Sequence, residues 1–533
     1  MFFNKFQLDG NDYNDCIGRG SCSTSPEVRA LQEIILTFLR QLAYYELKLE
    51  EIKASYYENQ DTIIKGVLMI IAAGEYSSDQ MLAIISRIYS KLLYARKEYI
   101  NFCIENNLEC TNLKFAIKLN GKMTMPEIIK AGEKSLLLKS KRMTSAQKSL
   151  YDIHILVIKS VCTNLTRLKE YNKFDDEAYK SILKSLNMLN SSFIPSKDMQ
   201  SEIEALVKYD IELTRMVKAS QEELFGKMSQ VDVSLSAVPG KAILVSGNNL
   251  ENLYKLVEAA KNTEVDIYTN SDLLIAHSFE KFRQLKPLKG HFGSTSGNCI
   301  LDFASFPGVI FLTKNYYPNV DYLYRGKIFS AEEPVQNGVI PIQNDNFAPL
   351  FEAAINAKGF TKHKQLNPVT VGYDSDYVSH MLDNLSKKLE SGELEHLVIV
   401  GISESSISLC DYFERLEKLL PKKTYIISFS HKFNTENQLH INLVNNLPSV
   451  YKILKNLFEL VPINSEKLSF FFTKCDVNSI SNLINLSLMG AKNIFLTQCQ
   501  PYVINPNVIN MLKSLYGIIP ASNPSNDIKH ILS

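Results

Sequence analysis

The chain has no tryptophan, no excess of charge of either sign and no long basic run, and these absences restrict its possible partners. Its 58 Lys and Arg residues nearly balance 57 Asp and Glu residues, giving a formal net charge of +1 over 533 residues. The Lys-rich stretch at residues 139–142 is too short to follow a phosphate backbone and is typical of a solvated helix face. We therefore expect no nucleic-acid partner. In the absence of tryptophan, tyrosine is the expected aromatic anchor of any interface.

Long apolar runs and a disulfide framework are also missing. The longest apolar stretches, near residues 67–73 and 153–161, are shorter than the roughly 20 residues that a membrane span needs. The first residues, MFFNKF, lack the pattern of a secretion signal. Nine scattered cysteines fit a reducing compartment better than a set of structural disulfides. The expectation is a cytoplasmic protein with no membrane partner.

What is present divides the chain into a helical part and an alternating part. Over residues 26–225, apolar residues recur at spacings of three and four, as in Leu31, Ile34, Ile35, Phe38 and Leu39. This pattern predicts amphipathic helices packed in bundles. Gly and Pro are rare in the same region, which favours long helices.

After residue 238 the pattern alternates between short apolar runs and helical stretches, which indicates mostly parallel sheets. The strand candidates are residues 241–247, 265–268, 309–312, 397–400, 424–428, 468–472 and 493–496. The predicted fold is α plus α/β, with N-terminal helical bundles followed by two Rossmann-like α/β domains. The predicted domains are residues 1–235, 236–368 and 369–533. Ligands of such sheets gather in the loops after the strands.

Those loops carry a resemblance to a known family. The segments concerned are residues 241–250 (KAILVSGNNL), 267–272 (IYTNSD), 290–308 (GHFGSTSGNCILDFASFPG), 313–316 (TKNY), 325–329 (RGKIF) and 505–511 (NPNVINM), together with DCIGRGSC at residues 15–22. In this order they resemble the hybrid-cluster protein family, also called the prismane or hydroxylamine reductase family. The resemblance spans almost the whole chain and implies the fold of that family.

The resemblance implies two metal sites whose ligands are mostly replaced. Of four cysteines that hold a cubane cluster in the family, two fall on Phe3 and Phe6, and two remain as Cys16 and Cys22. The hybrid-cluster positions, occupied in the family by histidine, glutamate and cysteine with a lysine nearby, fall on Asn248, Asp272, Tyr316, Ser403, His431, Val444, Asp476 and Asn478. A sulfur-rich iron cluster needs thiolate ligands, and none of these eight side chains supplies one.

The first functional hypothesis is therefore a pseudoenzyme: a hybrid-cluster fold kept as a structural, scaffolding or interaction protein that binds a protein partner or itself. No catalytic residue and no cofactor is expected, with a residual iron–sulfur cluster or a divalent metal as the exception. One alternative is an enzyme of altered chemistry, either an oxidoreductase resembling hydroxylamine reductase with a remodelled metal site, or a hydrolytic metal site at Asp272, Asp476 and His431. Another is a redox or metal sensor that uses Cys16 and Cys22.

Three other cysteines and two histidines are interpreted as structural. Cys103 and Cys110 lie in a helix-loop region and Cys162 lies on an apolar helix face. Separate cysteines of this kind are usually small buried hydrophobic residues. His277 and His291 lie near the matched segments but not at ligand positions, so the expectation for both is a structural role.

Overall fold

The fold is that of a computed structural model. It describes residues 25–53, 58–71, 76–115, 117–119, 123–191, 193–293, 299–313, 326–331, 335, 338–373, 375–402, 410–429, 435–441, 450, 453–454, 465–473, 477–497 and 505–532. Within these residues, no helix is both long and apolar enough to cross a membrane.

The first part of the chain is helical, as the spacing of its apolar residues predicts. Its helices are α1 (Pro26–Lys53), α2 (Gln60–Met69), α3 (Ser78–Glu105), α4 (Met125–Arg142), α5 (Ser145–Lys169), α6 (Asp176–Met188) and α7 (Ser196–Phe225). Helices α3 and α5 begin at capping boxes, in which Ser77 and Gln80 satisfy the first turn of α3, and Thr144 and Gln147 satisfy that of α5.

Helix α1 is the centre of the first bundle. Its predicted apolar stripe, which includes Leu31, Ile34, Ile35 and Phe38, is completely buried. The helix packs against α2, α3, α4 and α6. Because residues three and four apart share one face of a helix, this burial follows directly from the sequence.

The first sheet is parallel and has six strands in the described residues. These are β2 (Lys241–Ser246), β3 (Val265–Asn270), β4 (Leu288–His291), β5 (Val309–Leu312), β6 (Ile328–Ser330) and β7 (Ile340–Pro341), in the spatial order β4-β3-β2-β5-β6-β7. The helices associated with this sheet are α8 (Leu250–Ala259), α9 (Glu280–Arg283), α10 (Cys299–Ser305) and α11 (Ala348–Asn356). The strand order reverses between β2 and β5, as it does in doubly wound nucleotide-binding folds.

The second sheet repeats this topology. Its described strands are β9 (His396–Ile402), β10 (Thr424–Ser428), β11 (Gln438–His440), β12 (Leu468–Phe472), β13 (Asn493–Leu496) and β14 (Ile518–Pro520), in the order β11-β10-β9-β12-β13-β14. Its helices are α12 (Ser375–Glu390), α13 (Cys410–Leu419), α14 (Val477–Leu488), α15 (Pro506–Tyr516) and α16 (Pro524–Ile531). The predicted fold class, helical bundles followed by two Rossmann-like sheets, is thus confirmed.

A short antiparallel pair connects the two α/β regions. Strand β1 (Val231–Val233) pairs with β8 (Val369–Val371), so the chain segments before and after the first sheet lie side by side. The predicted domain divisions near residues 235 and 368 lie close to this pair and stay predictions. Helix α5 of the helical part also packs directly against α14 and α15 of the second α/β region.

Candidate functional site

The carboxyl ends of β2, β3 and β5 meet at one edge of the first sheet. In the strand register Ser246 lies opposite Asn270 on one side and Leu312 on the other. Thr313 follows β5 and its backbone N–H donates to the Ser246 carbonyl at 2.9 Å. The backbone N–H of Asn249 donates to Thr313 Oγ1 at 3.3 Å across the point where the strand order reverses. The loops that the sequence selected as a pocket are therefore adjacent here.

Asn270 is the centre of a buried polar network at this edge. The Ser246 hydroxyl donates to Asn270 Oδ1 at 2.7 Å. The Asn270 amide nitrogen donates to the Phe292 carbonyl at 2.8 Å and to Asp302 Oδ2 at 3.1 Å. Asn270 is completely buried, so an unpaired amide here would be costly. Its oxygen and both of its N–H groups have partners.

Gly293 allows the network to close. Its φ is +100°, a conformation that disfavours any side chain, and an added Cβ would lie 2.3 Å from Asp302 Oδ2 and 2.5 Å from Asn270 Nδ2. The carboxylate and amide therefore meet where only glycine leaves enough room.

Two histidines, the buried His291 and the half-buried His277, lie on the other side of β3. Thr269 Oγ1 is 3.0 Å from His277 Nε2 and 3.0 Å from His291 Nδ1. Burial lowers the pKa of His277 to about 4 and that of His291 to about 3, so both rings are neutral near pH 7. Because the Thr269 hydroxyl has one hydrogen, at least one ring nitrogen donates to it. The sequence placed both histidines in a structural role but gave no sign that they share one threonine.

One edge of the second sheet has a backbone contact like that found at the edge of the first sheet. Thr473 follows β12 as Thr313 follows β5, and its backbone N–H donates to the Ile402 carbonyl at 3.1 Å. Asn478 is in the first turn of α14, and its Oδ1 lies 3.0 Å from the Ser160 hydroxyl on α5. The residue at the position where the resemblance implies a lysine thus contacts the helical part of the chain.

Only three of the hybrid-cluster positions lie in the described residues. Asn248 follows β2 and Asp272 follows β3, so both are at the edge described above, and both are half-buried. Asn478 is at the second sheet. The other hybrid-cluster positions lie outside the described residues; they are Tyr316, Ser403, His431, Val444 and Asp476. The cubane positions Cys16 and Cys22 also lie outside the described residues. In the described part of the chain, no three His, Cys, Asp or Glu side chains are grouped so that they could hold a metal ion.

Cys103 lies in the last turn of α3 and Cys110 lies in the loop after it. Cys103 is buried and Cys110 is half-buried, and both are free cysteines. The interpretation of both as small hydrophobic residues stays a prediction.

The fold is similar to that of a solved structure. That structure, which its title describes as "NiZn[Fe4S4] and NiNi[Fe4S4] clusters in closed and open alpha subunits of acetyl-CoA synthase/carbon monoxide dehydrogenase", has a TM-score of 0.51. The match covers 96% of this chain and 83% of that one at 10% sequence identity, so it establishes likeness of fold alone.

Sequence comparison then gives the family. The model of the Prismane/CO dehydrogenase family matches residues 13–451, and the chain belongs to that family. Hydroxylamine reductase of Maridesulfovibrio salexigens is 25% identical over 534 residues, with 97% of each chain covered. Hydroxylamine reductase of Mannheimia succiniciproducens is 23% identical over 540 residues, with 98% of this chain and 97% of that one covered. The resemblance inferred from the loop segments is confirmed.

The comparisons correct the expectation about cofactors. We predicted no cofactor, whereas the matching family and the structural neighbour carry iron–sulfur clusters. The described residues do not by themselves fit the hybrid cluster, because Asn248 and Asn478 offer amides and Asp272 offers a single carboxylate. A cluster in this chain would therefore need ligands beyond these three residues.

Proposed function

We propose that this chain is a member of the Prismane/CO dehydrogenase family that does not reduce hydroxylamine and serves as a structural, scaffolding or interaction protein. Its partner would be another protein or a second copy of the chain, in the cytoplasm. The proposal applies to the reaction and the role of the protein, and it is compatible with a bound iron–sulfur cluster.

The closed hydrogen-bond network around Asn270 is the observation that carries the proposal. A reactive pocket needs polar groups left available for substrate or cofactor. Here the Ser246 hydroxyl and the complete Asn270 amide are bonded within the protein, and Asp302 accepts from that amide. The three described hybrid-cluster positions carry two amides and one short acid, which suits hydrogen bonding better than storage of electrons in a metal cluster.

The names of the relatives support a second candidate, hydroxylamine reduction at a remodelled site. Their similarity extends over 97–98% of the chain at 23–25% identity. Asp272 is the described residue on which that candidate depends, because it stands where the resemblance implies a ligand carboxylate.

A reductase assay separates the two candidates. The purified chain would be incubated anaerobically with iron and sulfide to load any cluster that it can hold, and then given reduced viologen and hydroxylamine. The Maridesulfovibrio salexigens relative, treated identically, is the positive control. We expect hydroxylamine-dependent oxidation of the dye at the level of the protein-free blank. Turnover that Asp272→Ala abolishes, and that Ala at the exposed Asn262 leaves unchanged, would establish the reductase instead.

An interaction role has its own test. Ile104, Leu137 and Phe193 are 68%, 63% and 65% exposed, and large apolar side chains at the surface are typical anchors of interfaces. Light scattering of the purified chain would give its mass in solution, and cross-linking in cell extract would identify bound proteins. We expect a stable assembly by one of these two measurements. A monomer that cross-links to nothing above the level of an unrelated control protein would count against the role.

A further inference from the structure

Helix α3 has one exposed face along most of its length. The helix packs against α1 and α2, and its residues Ile84, Ile88 and Leu92 are buried. The residues of the exposed face recur at alternating spacings of three and four: Arg87, Ser90, Tyr94, Lys97, Asn101 and Ile104. This is the spacing of a seam between two packed helices, and at 1.5 Å per residue the stripe is about 25 Å long.

Large apolar side chains lie on and beside this stripe. Leu93, Tyr94 and Ile104 are 42%, 50% and 68% exposed. Leu108, which follows directly after the helix, is 51% exposed. Single apolar residues at the surface are common, but several on one face of one helix form a patch of the kind that marks an interaction site. In a chain without tryptophan, Tyr94 is the expected aromatic anchor of this patch.

The charges along the same face are separated by sign. Among the exposed residues of the segment 86–109, the basic ones are Arg87 and Lys97, and the acidic ones are Glu105 and Glu109. The face is therefore basic in its first part and acidic at its end. Such a surface is complementary to itself when two copies run in opposite directions.

We propose that this face of α3 is a homodimer interface, on which α3 of a second copy of the chain packs antiparallel about a twofold axis. The inference rests on the proposed interaction role, to which it gives a partner and a surface. With the axis level with residue 99, Tyr94 faces the partner's Ile104, and Lys97 faces the partner's Asn101. The twofold axis repeats both pairs, so the apolar residues of each copy are covered by those of the other.

Lys97 decides the direction of the second helix. In a parallel pair the same residue of each copy meets at the seam, so two Lys97 ammonium groups would face each other. Like charges in an interface are costly. In the antiparallel pair the Asn101 amide faces Lys97 instead, and the acidic end of each helix lies beside the basic part of the other.

Sedimentation equilibrium of the full-length protein over a series of concentrations tests the dimer. We expect a monomer–dimer equilibrium. Ile104→Glu places a charge in the apolar patch and should raise the dissociation constant about tenfold or more. Leu301→Glu, at a leucine of α10 that is 69% exposed, is the matched control and should leave the constant unchanged. Far-ultraviolet circular dichroism checks that each variant keeps the helix content of the unaltered chain.

Substitutions at Asn101 test the direction of the second helix without changing an apolar contact. In the antiparallel pair, Asn101→Glu brings a carboxylate opposite Lys97 at two symmetrical places and should lower the dissociation constant about fivefold. Asn101→Lys should raise it. In a parallel pair Asn101→Glu would bring two carboxylates together, so a weaker dimer of this variant would overturn the antiparallel arrangement.

Two results would overturn the inference as a whole. One is a monomer at every concentration, and the other is a dimer that Ile104→Glu leaves intact. Neither result decides the proposed function, because hydroxylamine turnover in the reductase assay tests that function whatever the mass of the protein. A monomer that cross-links to a different protein would leave the proposed function standing and would still overturn the homodimer.

Discussion

Ser160 of α5 and Asn478 of α14 are 318 positions apart in sequence and 3.0 Å apart in the structure. The Ser160 hydroxyl also lies 2.7 Å from Asp210 Oδ2 on α7. One hydroxyl hydrogen cannot serve both oxygens. Both contacts are satisfied if Ser160 donates to Asp210 and the side-chain amide of Asn478 is turned by 180°, so that its nitrogen donates to Ser160. The oxygen and nitrogen of an asparagine amide can exchange places in this way. A hydrogen-bonded group of three helices thus joins the helical part to the second α/β region.

Substitutions in this group should affect stability in a graded way. Asp210 is almost completely buried and also accepts from the Asn164 amide at 2.8 Å. Asp210→Ala leaves both Ser160 and Asn164 without that acceptor, so we expect a loss of roughly 3 kcal/mol in the free energy of unfolding. Asn478→Ala should cost about 1 kcal/mol. Urea unfolding followed by far-ultraviolet circular dichroism measures both. Asn507→Ala, at an exposed residue of α15, is the control. If Asn478→Ala lowers the free energy of unfolding no more than Asn507→Ala does, the role of Asn478 is contradicted.

Glu46 should make the protein less stable as the pH rises. It is completely buried and accepts a hydrogen bond from the Asn59 amide, and burial raises its pKa from 4.5 to about 7. Between these values the folded chain keeps a proton that the unfolded chain has lost, so stability falls as pH rises through this window, by up to roughly 3 kcal/mol. Glu46→Gln removes the titration and should stabilise the protein near neutral to alkaline pH.

Thermal unfolding at several pH values measures this difference. The gain from Glu46→Gln should be small at acid pH, where the carboxyl is protonated in both states, and should grow to its full size above the folded-state pKa. Glu105→Gln, at an exposed residue of α3, is the control and should show no such trend. A gain that is the same at every pH would mean that Glu46 does not hold its proton.

Much of the fold could be predicted from the sequence because its signals are periodic and local. Five predicted strands, among them β5, β10 and β12, have the bounds or nearly the bounds found in the structure, since each is a buried apolar run next to a turn. The strands β1, β4, β6, β7, β8, β11 and β14 were not predicted, and each has only two to four residues. In such short segments, pairing with a neighbouring strand determines the conformation more than propensity does.

The candidate site was less predictable because its contacts are not local. The sequence predicted that the loops after the strands gather at one edge, and the parallel register of β2 and β3 brings the ends of these two strands side by side. It did not show that Asn270 would use its whole amide within the protein, since Asp302 is 32 positions away.

Two helical glycines should respond differently to the same substitution. A Cβ on Gly132 of α4 would lie 2.2 Å from the Ala30 carbonyl oxygen of α1, so the helices must separate to admit it. A Cβ on Gly66 of α2 would meet the flexible ends of Ile88 and Leu39 at 2.9 and 3.0 Å. We expect Gly132→Ala to destabilise by roughly 2–3 kcal/mol, although alanine is the better helix former, and Gly66→Ala to cost less than about 1 kcal/mol. Differential scanning calorimetry compares them, and equal midpoints would refute the close approach of α1 and α4.

Asn270→Asp tests whether the network at the first sheet edge is saturated. The substitution keeps the acceptor for Ser246 but removes the donor to the Phe292 carbonyl, and it places a second carboxylate beside Asp302. Residue 270 is completely buried and Asp302 is half-buried, so two carboxylates at this distance cannot both ionise without a cost, and the pKa of one of them rises. We expect a loss of roughly 2–4 kcal/mol at neutral pH that becomes smaller in acid, where the pair shares a proton.

A second substitution and a surface control complete this test. Adding Asp302→Asn to Asn270→Asp exchanges donor and acceptor, so it should recover part of the lost stability, while the Phe292 carbonyl stays without its donor. Asn262→Asp, at an exposed residue, should change the unfolding midpoint very little at any pH. Urea titrations of the four proteins at neutral and acid pH supply the comparison. If the double variant is no more stable than Asn270→Asp alone, the two side chains are not coupled. Polar groups at this edge of the sheet would then be available to bind a ligand.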